Sequence, residues 1–177
     1  MRKLLLILIL TSTSIFSQQK ADSVGFYVKI GDPSPDFALT FPNGDSTSFS
    51  ELKGKVIMLQ FTASWCSVCR QEMPYIEKDI VQSLKCDDLA VIGIDMDEPA
   101  EKVIKFAKDM KITYPLALDP GAEIFRLFAD KNSGVTRNVI IDKKGNIAHL
   151  TRLFNMEEFN TMVEKLKMLL TDDGGSG

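Results

Sequence analysis

The sequence predicts one α/β domain, a mixed central β-sheet covered by helices on both faces and entered through an N-terminal β-hairpin. Three observations carry this. Short apolar, β-branched-rich runs at residues 56–61 and 89–94 read as fully buried strands. Segments with helical apolar spacing alternate with them, which makes a parallel start. A closing strand–turn–strand–helix pattern adds an antiparallel finish. The chain has 177 residues, 45% hydrophobic and 25% charged, ordinary for a single domain with a sizeable core.

Taken in order, Met1-Arg2-Lys3 is basic, residues 4–10 are an unbroken run of leucine and isoleucine, and residues 11–17 are mostly small and polar. That order reads as a secretory signal peptide (1–17), cleaved near Ser17-Gln18. The run is far shorter than the ~20 apolar residues a membrane span needs. Residues 18–25 read as a flexible leader, 26–170 as the domain and 171–177 as a disordered tail. Pro33 and Pro35 make an extended approach to a strand at 36–40, and Asn43-Gly44 turns it into a second strand at 46–49. A short helical turn closed by Gly54 precedes the first buried strand. The next helix is expected to run to about residue 84 with a kink at Pro74. After the strand at 89–94, Pro99 fits the first position of a helix with Val103, Ile104, Phe106, Ala107 and Met110 as its apolar stripe. A strand at 114–118 and a helix at 119–128 follow, then strands at 135–142 and 147–153 around the turn 143–146. Met156, Phe159, Met162, Val163, Leu166, Leu169 and Leu170 give the last helix its apolar face.

Charge narrows the functions. The formal net charge is −3, falling to −5 once Arg2 and Lys3 leave with the signal, and no basic stretch gives ground for nucleic-acid binding. Three cysteines are too few for a disulfide scaffold. Cys66 and Cys69 sit three apart at a strand-to-helix junction, where free N–H groups and the helix dipole stabilise a thiolate. Redox chemistry is the leading reading. A static disulfide and half a zinc site stand beside it, although zinc wants four ligands and only Cys86 and His149 could be added. Covalent haem needs histidine after the second cysteine, where Arg70 stands. No cofactor and no metal are expected.

Trp65-Cys66-x-x-Cys69, with Pro74 eight positions after the first cysteine, resembles the thioredoxin fold. Gly31-Asp32-x-Ser34-Pro35-Asp36-Phe37 and Gly93-Ile94-Asp95 resemble its exported TlpA/ResA-like branch, over about residues 30–170. The resemblance implies a thioredoxin-like three-layer sandwich and a thiol–disulfide oxidoreductase. It makes Cys66, at the exposed start of the helix, the attacking thiolate, and Cys69, more buried, the resolving one. It has Trp65 cover the pair and join the docking surface. In ResA-like proteins a glutamate six after the first cysteine tunes the pair, which points to Glu72 as the proton partner of Cys69; a solvated glutamate beside Arg70 is the alternative. Thioredoxin itself uses a buried aspartate six before the first cysteine, where this chain has Gln60, which cannot exchange a proton.

The largest departure faces the pair. The fold places a cis-proline there, and this chain has Thr136 in the run 134–142. A non-proline cis bond costs ~2.5–4 kcal/mol, so a trans peptide is expected. Val135 would pair its backbone with substrate, and Thr136 would line the substrate site. Arg137 either points at the pair and favours the Cys66 thiolate or lies on a surface edge.

Weaker candidates remain. Cys86 is expected as a semi-buried free thiol and His149 as a surface or packing histidine. Asp95, Asp97 and Glu98 resemble a calcium or magnesium cluster, with capping of the Pro99 helix as the simpler account. Phe106 and Met110 belong to the core stripe. The expected protein is a monomeric, periplasmic reductant of protein disulfides fed by an upstream electron donor, touching a membrane only through an uncleaved signal segment. The Ser67-Val68 dipeptide lacks the histidine of strong oxidants, which favours reduction. Its rivals are a peroxiredoxin-related thiol peroxidase, a Sco-like copper chaperone using Cys66, Cys69 and His149, and a redox-inert binding module.

Overall fold

The computed structural model describes residues 20–172. The expected signal segment, the first two leader residues and residues 173–177 of the tail lie outside them. In chain order come β1 (Ala38–Thr40), β2 (Ser46–Ser48), β3 (Val56–Thr62), α1 (Ser67–Tyr75), β4 (Leu89–Met96) and α2 (Ala100–Met110). Then follow β5 (Leu116–Asp119), α3 (Phe125–Phe128), β6 (Arg137–Ile141), β7 (Ile147–Arg152) and α4 (Met156–Thr171). The strands form one seven-stranded sheet in the order β2-β1-β5-β4-β3-β6-β7. β3, β4 and β5 run parallel, and β6, β7 and the hairpin complete the sheet antiparallel. This is the expected mixed sheet of a thioredoxin-like fold.

β3 is the spine, and all seven of its residues are buried. Its side chains alternate between two cores, as the period of a strand requires. Ile57, Leu59 and Phe61 face Phe125 and Phe128 of α3 together with Phe26 and Phe49. Val56 and Met58 face Met73, Val103, Phe159 and Met162 from α1, α2 and α4. Phe61 packs edge-on to Phe125 at 5.3 Å between ring centroids. Removing it would cost roughly 3–5 kcal/mol.

Several boundaries differ from expectation for local reasons. The helix after the cysteines is α-helical only to Tyr75 and continues as a π-helical segment, Ile76–Gln82. Pro74 has no N–H to give, and the Ile76 N–H is shared between the Glu72 and Met73 carbonyls. Pro99 sits at the N-cap of α2 rather than inside it, and Ile104 of the expected stripe is exposed. The expected helix over 119–128 is broken into a 3₁₀ turn and α3. Gly121 there is left-handed (φ +68°), and the buried Asp119 carboxylate takes the Ile124 and Phe125 N–H groups at 2.8 and 2.9 Å. In α4, Phe159, Met162, Val163 and Leu166 are buried as expected, but Met156 is exposed. The chain crosses from β3 to α1 at the C-terminal edge of the parallel strands, the usual place for a site in such sheets.

Candidate active site

Cys66 occupies the N-cap of α1 with extended backbone (φ −82°, ψ 104°). Its Sγ accepts the Cys69 N–H at 3.1 Å, the bond a capping oxygen normally takes. The helix dipole favours negative charge on that sulfur. The two cysteines are joined as a disulfide with Cα atoms 5.3 Å apart. Cys66 is 7% exposed and Cys69 is fully buried, so the expected exposed attacker is exposed only relative to its partner. Trp65, expected to cover the pair, is 60% exposed and turns most of its surface to solvent.

Thr136 approaches from the start of β6. The peptide before it is trans, as expected, since no cis bond occurs among the described residues. Its Oγ1 lies 3.2 Å from Cys66 Sγ and 3.3 Å from Cys69 Sγ. Disulfide sulfurs carry no hydrogen, so the hydroxyl donates. The strand begins at Arg137 rather than residue 135: opposite Thr136 the chain turns left-handed at Leu153 (φ +65°), whose N–H still reaches the Thr136 carbonyl at 3.1 Å. The Val135 side chain is buried in the core. Its backbone makes no hydrogen bond among the described residues.

Glu72, one turn beyond Cys69, is 2% exposed, so the solvated alternative falls away. Asn138 Nδ2 donates to Oε1 at 2.6 Å and Gln60 Nε2 to Oε2 at 3.4 Å. Gln60 and Asn138 face each other across the β3–β6 ladder, so two carboxamides from neighbouring strands close on one carboxylate. Each is held with its N–H groups inward. The Tyr114 hydroxyl donates to Gln60 Oε1 at 2.7 Å, and Asn138 also donates to Thr151 Oγ1 at 2.9 Å. Burial pushes Glu72 up to about 7, with Asn138 and then Gln60 pulling the other way. No hydrogen bond joins Glu72 to either sulfur among the described residues.

Arg137 takes neither expected position. It is fully buried, donates from Nη2 to the Val24 and Ser133 carbonyls and to Ser133 Oγ, and stacks on Phe26 at 4.3 Å. Alternation along the strand explains this: Thr136 and Asn138 share a face, and Arg137 points to the other. Burial lowers its pKa to about 10, so it stays charged at neutral pH.

The acidic trio does not cap α2, whose N-cap has no side-chain bond. Asp97 takes the Gly121 N–H at 2.8 Å. Glu98 takes the Ser64 N–H at 2.5 Å and the Ser64 hydroxyl at 2.8 Å, and pairs with Lys102. Asp95 is fully buried with no donor on either oxygen, and burial and then the Glu98 charge push it up to about 8. The Glu98 neighbour favours a proton on Asp95, and that proton can be shared with Glu98. Cys86 is an exposed free thiol, not a semi-buried one. His149 is half-buried, opposite Ile140 in the ladder, in a hollow with Glu157 and Glu158. Among the described residues no three His, Cys, Asp or Glu side chains gather to hold a metal, and no helix is long and apolar enough to cross a membrane.

Sequence reading missed Asn138, Tyr114 and Thr151 as partners of the Glu72 network, and Glu98 as the anchor of Ser64. The available signal was a polar Asn two places from Thr136, and so on the same strand face, just ahead of the apolar run Val139-Ile140-Ile141.

A disulfide-bonded pair at a helix N-cap, on this sheet and beside a buried glutamate, defines a thiol–disulfide oxidoreductase, and known proteins agree. The chain belongs to the AhpC/TSA family, whose profile matches residues 30–150. It is 33% identical over 141 residues to the thioredoxin-like protein YneN of Bacillus subtilis, covering 77% of this chain and 78% of that one. The thiol-disulfide oxidoreductase ResA of Geobacillus kaustophilus is 27% identical over 157 residues, 88% of this chain and 84% of its own. A solution structure from Bacteroides thetaiotaomicron, provisionally assigned as a protein disulfide isomerase, superposes with a TM-score of 0.81. It is 55% identical and covers 84% of this chain and 94% of its own.

Proposed function

We propose that this enzyme is exported by its N-terminal segment (1–17), leaving the leader 18–25, the domain 26–170 and the tail 171–177, and reduces protein disulfides in the periplasm. The observation that supports this best is the Cys66 sulfur in the capping position of α1, with Cys69 in bonding reach behind it. The Cys66 thiolate attacks one sulfur of a substrate disulfide, a new S–S bond forms, and the other substrate sulfur leaves with the electron pair and takes a proton. Glu72, one turn behind Cys69 and titrating near 7, takes the Cys69 proton. Cys69 then attacks Cys66, and the second substrate thiol departs. The substrate gains two electrons and two protons, and the enzyme is left as the disulfide seen here. A dithiol donor upstream restores it. Trp65 offers an apolar docking surface, and the unpartnered Val135 backbone and Thr136 receive the extended substrate.

Cys66→Ser should abolish insulin-disulfide reduction; retained activity would sink the proposal. A reduction potential near ~−270 mV supports a reductant and one near ~−120 mV an oxidant. Rapid oxidation of Cys66 by hydrogen peroxide in stopped flow would instead favour the peroxidase, and copper binding lost in His149→Ala the chaperone.

A further inference from the structure

We propose that the Thr136 hydroxyl is a catalytic hydrogen-bond donor that serves the two sulfurs of the pair in turn. The inference rests on Cys66 and Cys69 being the redox pair, and it assigns Thr136 a role beyond receiving substrate. Among all polar side chains described, only this hydroxyl reaches both sulfurs, at 3.2 and 3.3 Å, and it has no other partner. A proline at this position would have no hydrogen to give.

The oxygen is held while its hydrogen is free. Thr136 is 5% exposed, its carbonyl is tied to Leu153, and a β-branched side chain is stiff at χ1. The hydroxyl carries a single hydrogen that rotates to suit, so it serves one sulfur at a time. Toward a neutral disulfide sulfur the bond is weak. Toward a thiolate it is charge-assisted and about twice as strong. The donor therefore acts where charge develops, as preorganised donors do in catalysis.

In the reduced enzyme the Cys66 thiolate receives the Thr136 O–H and the Cys69 N–H, while the Cys69 S–H can donate to Oγ1. Once Cys66 is bonded to a substrate sulfur its charge is gone, and the departing substrate thiolate has taken a proton. The hydroxyl then turns to Cys69, whose proton passes to Glu72, and stabilises that thiolate until it attacks Cys66. No electron passes through Thr136. It holds whichever sulfur is anionic.

The test uses the full chain, reduced and then alkylated with iodoacetamide across pH, with insulin reduction measured in parallel. Thr136→Val keeps the shape and removes the donor. It should raise the Cys66 pKa by about one unit, the loss of one charge-assisted bond. The pair's equilibrium should shift toward disulfide by about tenfold, and Thr136→Ser should restore both. Thr136→Ala, which adds no bulk, replaces the valine variant if that one fails to fold. An unchanged alkylation profile in a folded Val or Ala variant overturns the inference. If the wild-type chain itself fails to reduce insulin, the redox reading falls instead, so the two failures are distinguishable.

Discussion

Two carboxyl groups, Glu72 and Asp95, are buried near the active-site loop, and they are kept in different ways. Glu72 is met by two amide donors, Asn138 and Gln60, which soften the effect of burial and leave it near 7. Asp95 meets no donor and has the Glu98 charge as its neighbour, which adds to burial and takes it to about 8. The first environment suits a proton that must come and go. The second keeps a proton in place and anchors Glu98, which in turn holds Ser64 two residues before Cys66. Burial raises both, and the sign of the neighbours separates exchange from structure.

Substitutions can break this contrast. Glu72→Gln removes the exchangeable proton, and insulin turnover should fall about 10²-fold or more, with the rising limb near pH 7 gone. Its new N–H would also face the donors of Asn138 and Gln60, so it should gain no stability. Asp95→Asn should do the opposite, because its N–H donates to Glu98. The folded-state pKa of Asp95 lies above its ordinary 3.8, so its stabilising neutral form is complete below that value and costs the fold progressively as pH rises toward 8. Urea unfolding should therefore show Asp95→Asn overtaking the wild type by about 1.4 kcal/mol per pH unit across that window, with the pH 7 limb of activity intact. A variant no more stable than wild type at pH 8 would mean Asp95 is not held protonated.

Asn138→Ala tests the stronger of the two donors. With its 2.6 Å bond gone, the Glu72 carboxylate loses support, and the activity limb should move up by about one pH unit. Tyr114→Phe frees only the orientation of Gln60, whose own bond to Glu72 is long at 3.4 Å. A shift of a few tenths of a unit is expected in the same pH profile. A larger shift than that of Asn138→Ala would reverse the order of the two donors.

Much of this was legible in the residues because it is local. The apolar run of β3, the cysteine pair at a helix start and Glu72 one turn later depend on neighbours within a few positions. Asn138 reaches Glu72 only through the register of β6 on β3, a pairing between segments some distance apart in the chain that no local pattern states. Arg137 misled for a related reason. A charged residue in a strand is read as solvent-facing, yet this one is enclosed by Phe26 and Ser133 from elsewhere in the sequence. The break of the 119–128 helix escaped because Asp119 was read as opening the helix at Pro120, whereas its buried carboxylate caps the turn beginning at Ile124.

Arg137 also links the start of the domain to its chemistry. It follows Thr136 directly, and one of its bonds goes to the Val24 carbonyl while its guanidinium lies on the Phe26 ring. The stretch just before the domain thus works as a mooring line for the segment that faces the sulfurs. The proposed cleavage near residue 17 would leave that mooring whole, whereas a protease nick or an affinity tag placed between Val24 and Phe26 would let it go. The residues just ahead of the first strand are therefore part of how the redox centre is held.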